Sequence, residues 1–432
     1  MSMRVLLLGA NGFIGSSILL RLMSSGHAVT GLARHPNRAA CKWPGAGWIK
    51  SDLSKMLYSD DWRSLVEDHD VIVNCAGVLQ DGLSDDLAAT QEQSMRALYE
   101  RASSAGNKRI VQISASDNRR SGHLPFMATK RRADDALATS GVECFILRPA
   151  LVLGRNAHGG SALIRALAST PFAVPLLHAD SSVQTVAVDD VADIVAMAVE
   201  GALPGGTDIE LAAPERLTLG QLVQLHRQWL GLPSARVVQV PSWFGSMISR
   251  FADLAGRLGW RSPLRSTALA VMEHGVTTQF ELPDLPAGLA LRTAQQALGA
   301  NPSGVQDLWF ARLYLLKPVV IVSISAFWFL SGTVPLADPS RAAAHFEPFM
   351  TPSLALALTH ATCAIDIALG LFILIRPFTK KALITMLVVA FSYLLGGTLL
   401  KPDLWLDPLG PLVKVLPFLS LCVLARAILD ER

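Results

Sequence analysis

The chain has 432 residues, of which 51% are hydrophobic and 17% charged, with a net charge of +3. That length calls for two or more structural units, and so small a net charge argues against a nucleic acid as partner. The mean hydropathy of +0.37 is high for a water-soluble protein, and the excess is uneven. Charges are frequent and mixed up to about residue 308, and long uncharged stretches follow.

Residues 3–8 form a compact apolar run that reads as a buried parallel strand. Gly9-Ala10-Asn11-Gly12-Phe13-Ile14-Gly15 follows at once, then helical spacing of Ile18, Leu19 and Leu22, with Gly26 as a stop. Strand, glycine turn and helix in that order make a dinucleotide-binding unit. The first glycine allows the turn, the second admits the pyrophosphate, and the third lets helix and strand pack closely. The helix N-terminus offers N–H groups and a positive dipole end to the phosphates. Arg4 before the apolar run gives a faint likeness to a signal peptide, but the run is too short. The N-terminal part is therefore expected in the cytoplasm.

Residues 27–33 read as the second strand. Where an NAD site carries an acid for the ribose hydroxyls, this chain has Arg34, with His35 and Arg38 after it. Cations there suit a 2′-phosphate, so NADP(H) is favoured over NAD(H). A strand at 48–50 leads to Asp52-Leu53, which can place a carboxylate beside an adenine amino group. Val71–Asn74 is closed by the small residues Cys75-Ala76-Gly77, which let backbone approach a cofactor. Further strands at 109–114 and 144–147 lead into Ser114-Ala115-Ser116 and Arg148-Pro149. The strand–helix alternation implies an α/β fold with a doubly wound parallel sheet, whose ligands sit at the strand C-terminal ends.

Gly9-x-x-Gly12-x-x-Gly15, Asp52-Leu53, Asn74-x-Ala76-Gly77, Ser114, Lys130, Arg148-Pro149 and Val188-Asp189-Asp190-Val191-Ala192 occur in this order across about 200 residues. On these the N-terminal part resembles the extended and atypical short-chain dehydrogenases/reductases, which include NAD-dependent epimerases/dehydratases. It is also similar to the nucleotide-binding accessory subunit of respiratory complex I. The resemblance implies a Rossmann fold with NAD(P)(H) held by Gly9, Asn11, Gly12, Phe13, Ile14 and Gly15. Asp52, Leu53, Cys75, Ala76, Gly77, Lys130 and Pro149 would complete the cofactor site, and Ser114 and Lys130 would be catalytic. The family's signature is Tyr-x-x-x-Lys, in which the tyrosine handles the substrate proton. Here the stretch reads Phe126-Met127-Ala128-Thr129-Lys130, and none of the four tyrosines (Tyr58, Tyr99, Tyr314, Tyr393) lies between residues 100 and 313. Three readings stay open: a domain that binds nucleotide without catalysis, hydride transfer with Lys130, Ser114 or water handling the proton, and reduction of a quinone or flavin acceptor that needs no tyrosine. His123 and His158 are tempting acids but read as incidental loop residues.

Residues 1–205 read as the nucleotide-binding core and 206–308 as the part that closes over substrate. Helical spacing is expected at 218–230 and 244–258, and Trp229, Trp243 and Trp260 read as core packing, with an apolar pocket or the membrane surface as alternatives. Cys41, Cys75, Cys144, Cys363 and Cys422 lie far apart, with no metal or redox spacing, and read as buried structural thiols.

Residues 309–432 read as an all-α membrane bundle of about four helices, near 315–336, 352–375, 382–400 and 409–428. The basic residues Arg312, Lys317, Arg376, Lys380, Lys381 and Arg426 gather on one side, which would place both termini and the Rossmann domain in the cytoplasm. Trp328-x-x-Ser331-Gly332, Asp366-x-x-x-Gly370 and Asp407-Pro408-Leu409-Gly410-Pro411-Leu412-x-Lys414-x-x-Pro417 resemble the DoxX-like membrane proteins. That resemblance implies a multi-pass protein of a bacterial inner membrane. Asp366 and Lys414 are costly in a bilayer and are expected to pair inside the bundle, either as a polar site for a quinone head group or proton or as a register-fixing ion pair. The expected function is a membrane-anchored NAD(P)(H)-dependent oxidoreductase for a lipophilic or quinone-type substrate. The alternative is a non-catalytic nucleotide-binding subunit or assembly factor of a membrane complex.

Overall fold

The computed structural model describes residues 2–83, 85–116, 124–273, 275–278 and 290–430, so His123 lies outside the described residues. The chain divides into two compact units, Met1–Asp253 with Ser262–Ala311, and Leu254–Arg261 with Arg312–Arg432.

Seven parallel strands make the sheet of the first unit: β1 Arg4–Leu8, β2 Ala28–Ala33, β3 Gly47–Lys50, β4 Val71–Asn74, β5 Arg109–Ile113, β6 Glu143–Pro149 and β7 Thr207–Leu211, in the order β7-β6-β5-β4-β1-β2-β3. Each expected strand is present, with bounds shifted by a residue or so. β1 pairs with β2 on one side and β4 on the other, through Val5↔Val29 and Val5↔Val71. The strand order therefore reverses at the β1/β4 junction, where ligands of such sheets bind.

Both faces are covered, which explains why the central strands are apolar throughout rather than alternating. On one face Val5 and Leu7 meet Ile18, Leu19 and Leu22 of α1 (Phe13–Ser24) and the valines Val191, Val195 and Val199. On the other, Leu6 and Leu8 meet Trp62, Leu98 and Tyr99, with α2 (Ser94–Ala105) and α3 (Pro125–Ala138) above them. The remainder of the unit has a satellite core around Leu176, Leu222 and Val223. Helix Leu219–Trp229 starts there in a Thr218/Gln221 capping box. Trp229 is tied to Asn301 O, in agreement with packing, whereas Trp243 is 68% exposed. Cys41 is exposed and Cys75 half-buried, so only Cys144, Cys363 and Cys422 fit the expected buried thiols.

The tail is helical: α4 Val305–Thr333, α5 Pro352–Phe372, α6 Arg376–Leu400 and α7 Val415–Ala427. Three segments, Val305–Ala337, Pro352–Phe372 and Arg376–Leu400, are long and apolar enough to cross a membrane. The fourth apolar run differs from expectation. Only 13 residues of it are helical, about 20 Å against the ~30 Å of a hydrocarbon core. Gly410 at φ +57° and Pro411 hold residues 409–414 in turns, so the helix begins only at Val415. Large apolar side chains such as Val322, Phe391 and Leu399 point outward, as on a surface facing lipid. α4 and α5 touch backbone to backbone: a Cβ on Gly332 would lie 2.5 Å from Cys363 O, and one on Gly370 would lie 2.8 Å from Phe329 N.

Candidate functional site

The glycine turn is built to bring backbone into the strand-order reversal. Gly9 has φ +71°, and a Cβ there would lie 2.9 Å from Ala76 N at the end of β4. A Cβ on Gly15 would lie 2.2 Å from Gly9 O, so α1 sits directly on the turn. Gly12 N donates to Gly9 O and Ser16 N to Gly12 O. No side chain caps α1 at Gly12, so the first-turn N–H groups of Phe13, Ile14 and Gly15 have no acceptor within the helix and suit a phosphate. The exposed Asn11 and half-buried Phe13 border the opening. This cradle fits a dinucleotide.

Across it, Asn74 fixes the 75–79 loop. Its side chain is buried, accepts from Ala76 N at 2.9 Å and donates to Gln112 Oε1 at 2.8 Å. Gln91 accepts from Val78 N and donates to Thr129 Oγ1, tying the same loop to α3. Asn74 is marked by the Asn74-x-Ala76-Gly77 stretch, but its partners and Gln91 are not, because a buried amide has no spacing that marks its partners.

Lys130, on α3, is 7% exposed and donates through Nζ to Ile113 O at 2.9 Å. A Cβ on Gly77 would lie 3.9 Å from Nζ, so the amine stands beside the cofactor-side loop. Burial lowers its pKa, and Asp134, one turn further along α3, opposes that. The Phe126 ring is 5.9 Å from Nζ, on the same helix face. Ser114 donates to Asp134 Oδ2, which also accepts from Arg148 Nη1 at 2.8 Å. Arg148 continues to Asp208 at 2.7 and 3.0 Å. Burial raises the pKa of Asp134 against the pull of Arg148 and Ser114, and burial pushes the Cys75 thiol up to about 12. Ser114 and Lys130 thus both stand at the end of β5. Asp134 was missed, although its place four residues after Lys130 is a signal. Pro149 ends β6 and is buried.

Arg34 is ion-paired to Asp85 at 3.0 Å. Asp52 caps the turn Leu53–Lys55 by accepting from Ser54 N and Oγ, and Leu53 packs toward the core under β1. His158 N is hydrogen-bonded to Ser161 Oγ in a loop.

In the tail, Asp366 and Lys414 are not brought together. Asp366 is buried and accepts from Ser331 Oγ at 2.9 Å and Tyr393 OH at 3.0 Å, one donor from each flanking helix. Lys414 is exposed at the start of α7. Two neutral hydroxyls satisfy the carboxylate without the insertion cost of a second charge.

The NAD(P)H-binding family matches residues 9–201, and the DoxX-like family matches residues 325–423. The chain joins an NAD(P)-binding Rossmann domain to a DoxX-like membrane domain. Over 258 residues it is 30% identical to an uncharacterized protein of Mycobacterium tuberculosis, covering 58% of this chain and 26% of that protein. The chain therefore spans about a quarter of the length of the curated relatives it matches first. Among solved structures, gox2253 aligns over 72% of this chain and 99% of its own with 20% identity and a TM-score of 0.52, a likeness of fold. A dTDP-glucose 4,6-dehydratase from Bacillus anthracis in complex with NAD aligns over 55% of this chain and 84% of its own, with 16% identity and a TM-score of 0.47. The Rossmann domain carries the glycine cradle and Lys130, and the DoxX-like domain carries Asp366.

Proposed function

We propose that this chain is a membrane-anchored NAD(P)(H)-dependent oxidoreductase in which Lys130 handles the proton that a tyrosine handles in its resembled family. The observation that carries this reading is the Lys130 amine, buried beside Gly77 with a lowered pKa, with a phenyl ring at the Tyr position. A reduced nicotinamide, when bound, supplies a hydride to an acceptor carbon. The acceptor oxygen then needs a proton, and the Lys130 ammonium gives one from Nζ. The amine left neutral is the form that burial favours, and solvent recharges it. Reduction should therefore slow as pH rises through the Lys130 pKa, which lies below the ordinary 10.5.

The cofactor is NADP(H) in this reading. Arg34 and Arg38 are exposed at the end of β2, and Arg34 would turn from Asp85 to a 2′-phosphate. Residues 206–308 close over the substrate, which is lipophilic or quinone-like because the domain is tethered to lipid. The orientation has both termini and the Rossmann domain in the cytoplasm of a bacterium. It is supported by the tail's basic end, where Lys317 and Arg376 donate to Leu429 O and Lys380 pairs with Asp430.

The test is NADPH oxidation by the full chain in nanodiscs, with quinones and long-chain aldehydes as acceptors. Lys130→Ala should lower turnover by roughly 10²–10⁴, and unchanged turnover would refute the role of Lys130. Arg34→Ala should weaken NADPH binding about tenfold in calorimetry and leave NADH unchanged. A second reading, a non-catalytic nucleotide-binding subunit or assembly factor, is favoured by Phe126 and by the engagement of Ser114 with Asp134. Tight NADPH binding with no turnover on either acceptor class would establish it.

A further inference from the structure

Helix Ser242–Arg257 carries a face of large apolar side chains open to its surroundings. Trp243 and Phe251 are 68% and 66% exposed, and Phe244, Met247 and Leu254 are exposed with them. At 3.6 residues per turn these five share an arc of roughly 100°. The exposed Arg250 and Arg257 border one edge of that arc. The opposite face is the packed one: Gly245, Ser249, Ala252 and Gly256 are buried, and Gly245 lies against Leu177. A contiguous aromatic and aliphatic stripe is not what a water-facing helix presents. A stripe of this composition, bordered by arginines, is what a helix lying in a lipid interface presents.

A second observation identifies the occupant. The segment Leu254–Arg261 is part of the same compact unit as the DoxX-like tail. Leu258 O accepts from Arg376 N at 2.9 Å, and Trp260 Nε1 donates to Leu374 O at 2.6 Å. The Trp260 ring lies 5.5 Å from the Arg376 guanidinium and 6.0 Å from Lys317 Nζ. Arg376 and Lys380 stand in the first turns of the apolar segment Arg376–Leu400, and Lys317 precedes the uncharged run 319–336, as cations at a head-group level would. A tryptophan among cations at that level is the usual belt of a membrane protein. Residues 258–260 are therefore tied to the tail, and helix Ser242–Arg257 ends immediately before them in the chain.

We propose that helix Ser242–Arg257 lies in the membrane interface, with Trp243, Met247, Phe251 and Leu254 in the acyl boundary and Arg250 and Arg257 against anionic lipid phosphates. This inference concerns lipid contact alone and stands whether or not the chain turns over substrate.

The test uses the full chain in phosphatidylcholine nanodiscs with a minority of phosphatidylglycerol, with and without bromine on the upper acyl carbons. The emission of Trp243 is the difference between native protein and Trp243→Phe. Brominated lipid should quench most of that difference, while aqueous iodide should leave it nearly intact. Adding Phe251→Trp to the Trp243→Phe background should restore a lipid-quenched signal, which guards against a folding defect in either variant. Quenching by iodide and not by bromolipid overturns the proposal. So does protection from both quenchers in discs that hold two copies, because the stripe would then be covered by a second copy of this chain.

Discussion

Asp134 and Asp366 are both buried carboxylates, and the chain keeps them by opposite means. Asp134, in the sheet domain, is held by a guanidinium: Arg148 reaches it at 2.8 Å, Ser114 adds a hydroxyl, and Lys130 sits one helical turn away. Asp366, in the tail, has the hydroxyls of Ser331 and Tyr393 as its side-chain partners among the described residues. The difference follows from the surroundings. A soluble domain can carry a cation part-way to water, as Arg148 does with its other edge on the half-exposed Asp208. A span in lipid would add about 2.5–3.5 kcal/mol for a second charge, whereas a hydroxyl adds little.

Four measurements in all would break or sharpen this contrast, beginning with the loss of turnover in Lys130→Ala. Next in size is Arg148→Met, which leaves Asp134 buried without its cation and should destabilise the sheet domain by about 3–5 kcal/mol. A thermal melt unchanged from native would show that Arg148 does not balance Asp134. Third is His226, a buried ring with no acidic partner among the described residues, whose pKa burial lowers to about 4. Its folded pKa lies below its unfolded value of 6.5, so stability is complete above pH 6.5 and falls as pH drops toward 4. The loss approaches about 3 kcal/mol. Melts at pH 7 and pH 4.5 should differ less in His226→Gln, and an equal pH response would exclude the ring as the source. The smallest effect is expected at Tyr393→Phe. Removing one neutral donor from Asp366 should cost about 1 kcal/mol, as membrane hydrogen bonds do. A loss as large as that of Arg148→Met would mean that Asp366 depends on its hydroxyls as Asp134 depends on its guanidinium.

The elements that could be read from the sequence are those whose causes are local. Val5 to Leu8 are apolar throughout because β1 is covered on both faces, and Gly9 and Gly15 follow it because each would clash with a neighbour if it carried a Cβ. Lys130 and Ser114 were marked by their resemblance to the family's Tyr-x-x-x-Lys signature and upstream serine, and the strand before Ser114 is a local pattern. What could not be read are partnerships across the chain. Arg34 and Asp85 are 51 residues apart, and Asp366 takes Tyr393 from 27 residues away in place of the expected Lys414. A tyrosine in an apolar helix gives no sign of which carboxylate it faces. The fourth apolar run misled for a different reason: hydropathy counts Leu409 and Leu412 as span residues, while Gly410 and Pro411 keep them out of the helix.

The close contact of α4 with α5 has a consequence for traffic through the tail. The backbone meets at Gly332 against Cys363 and at Gly370 against Phe329, one contact on each side of Asp366 along the seam. No water file or acyl chain can part the two helices at those points. The Asp366 carboxylate is thus shut off along the α4/α5 seam and takes its hydroxyl partners from Ser331 of α4 and Tyr393 of α6.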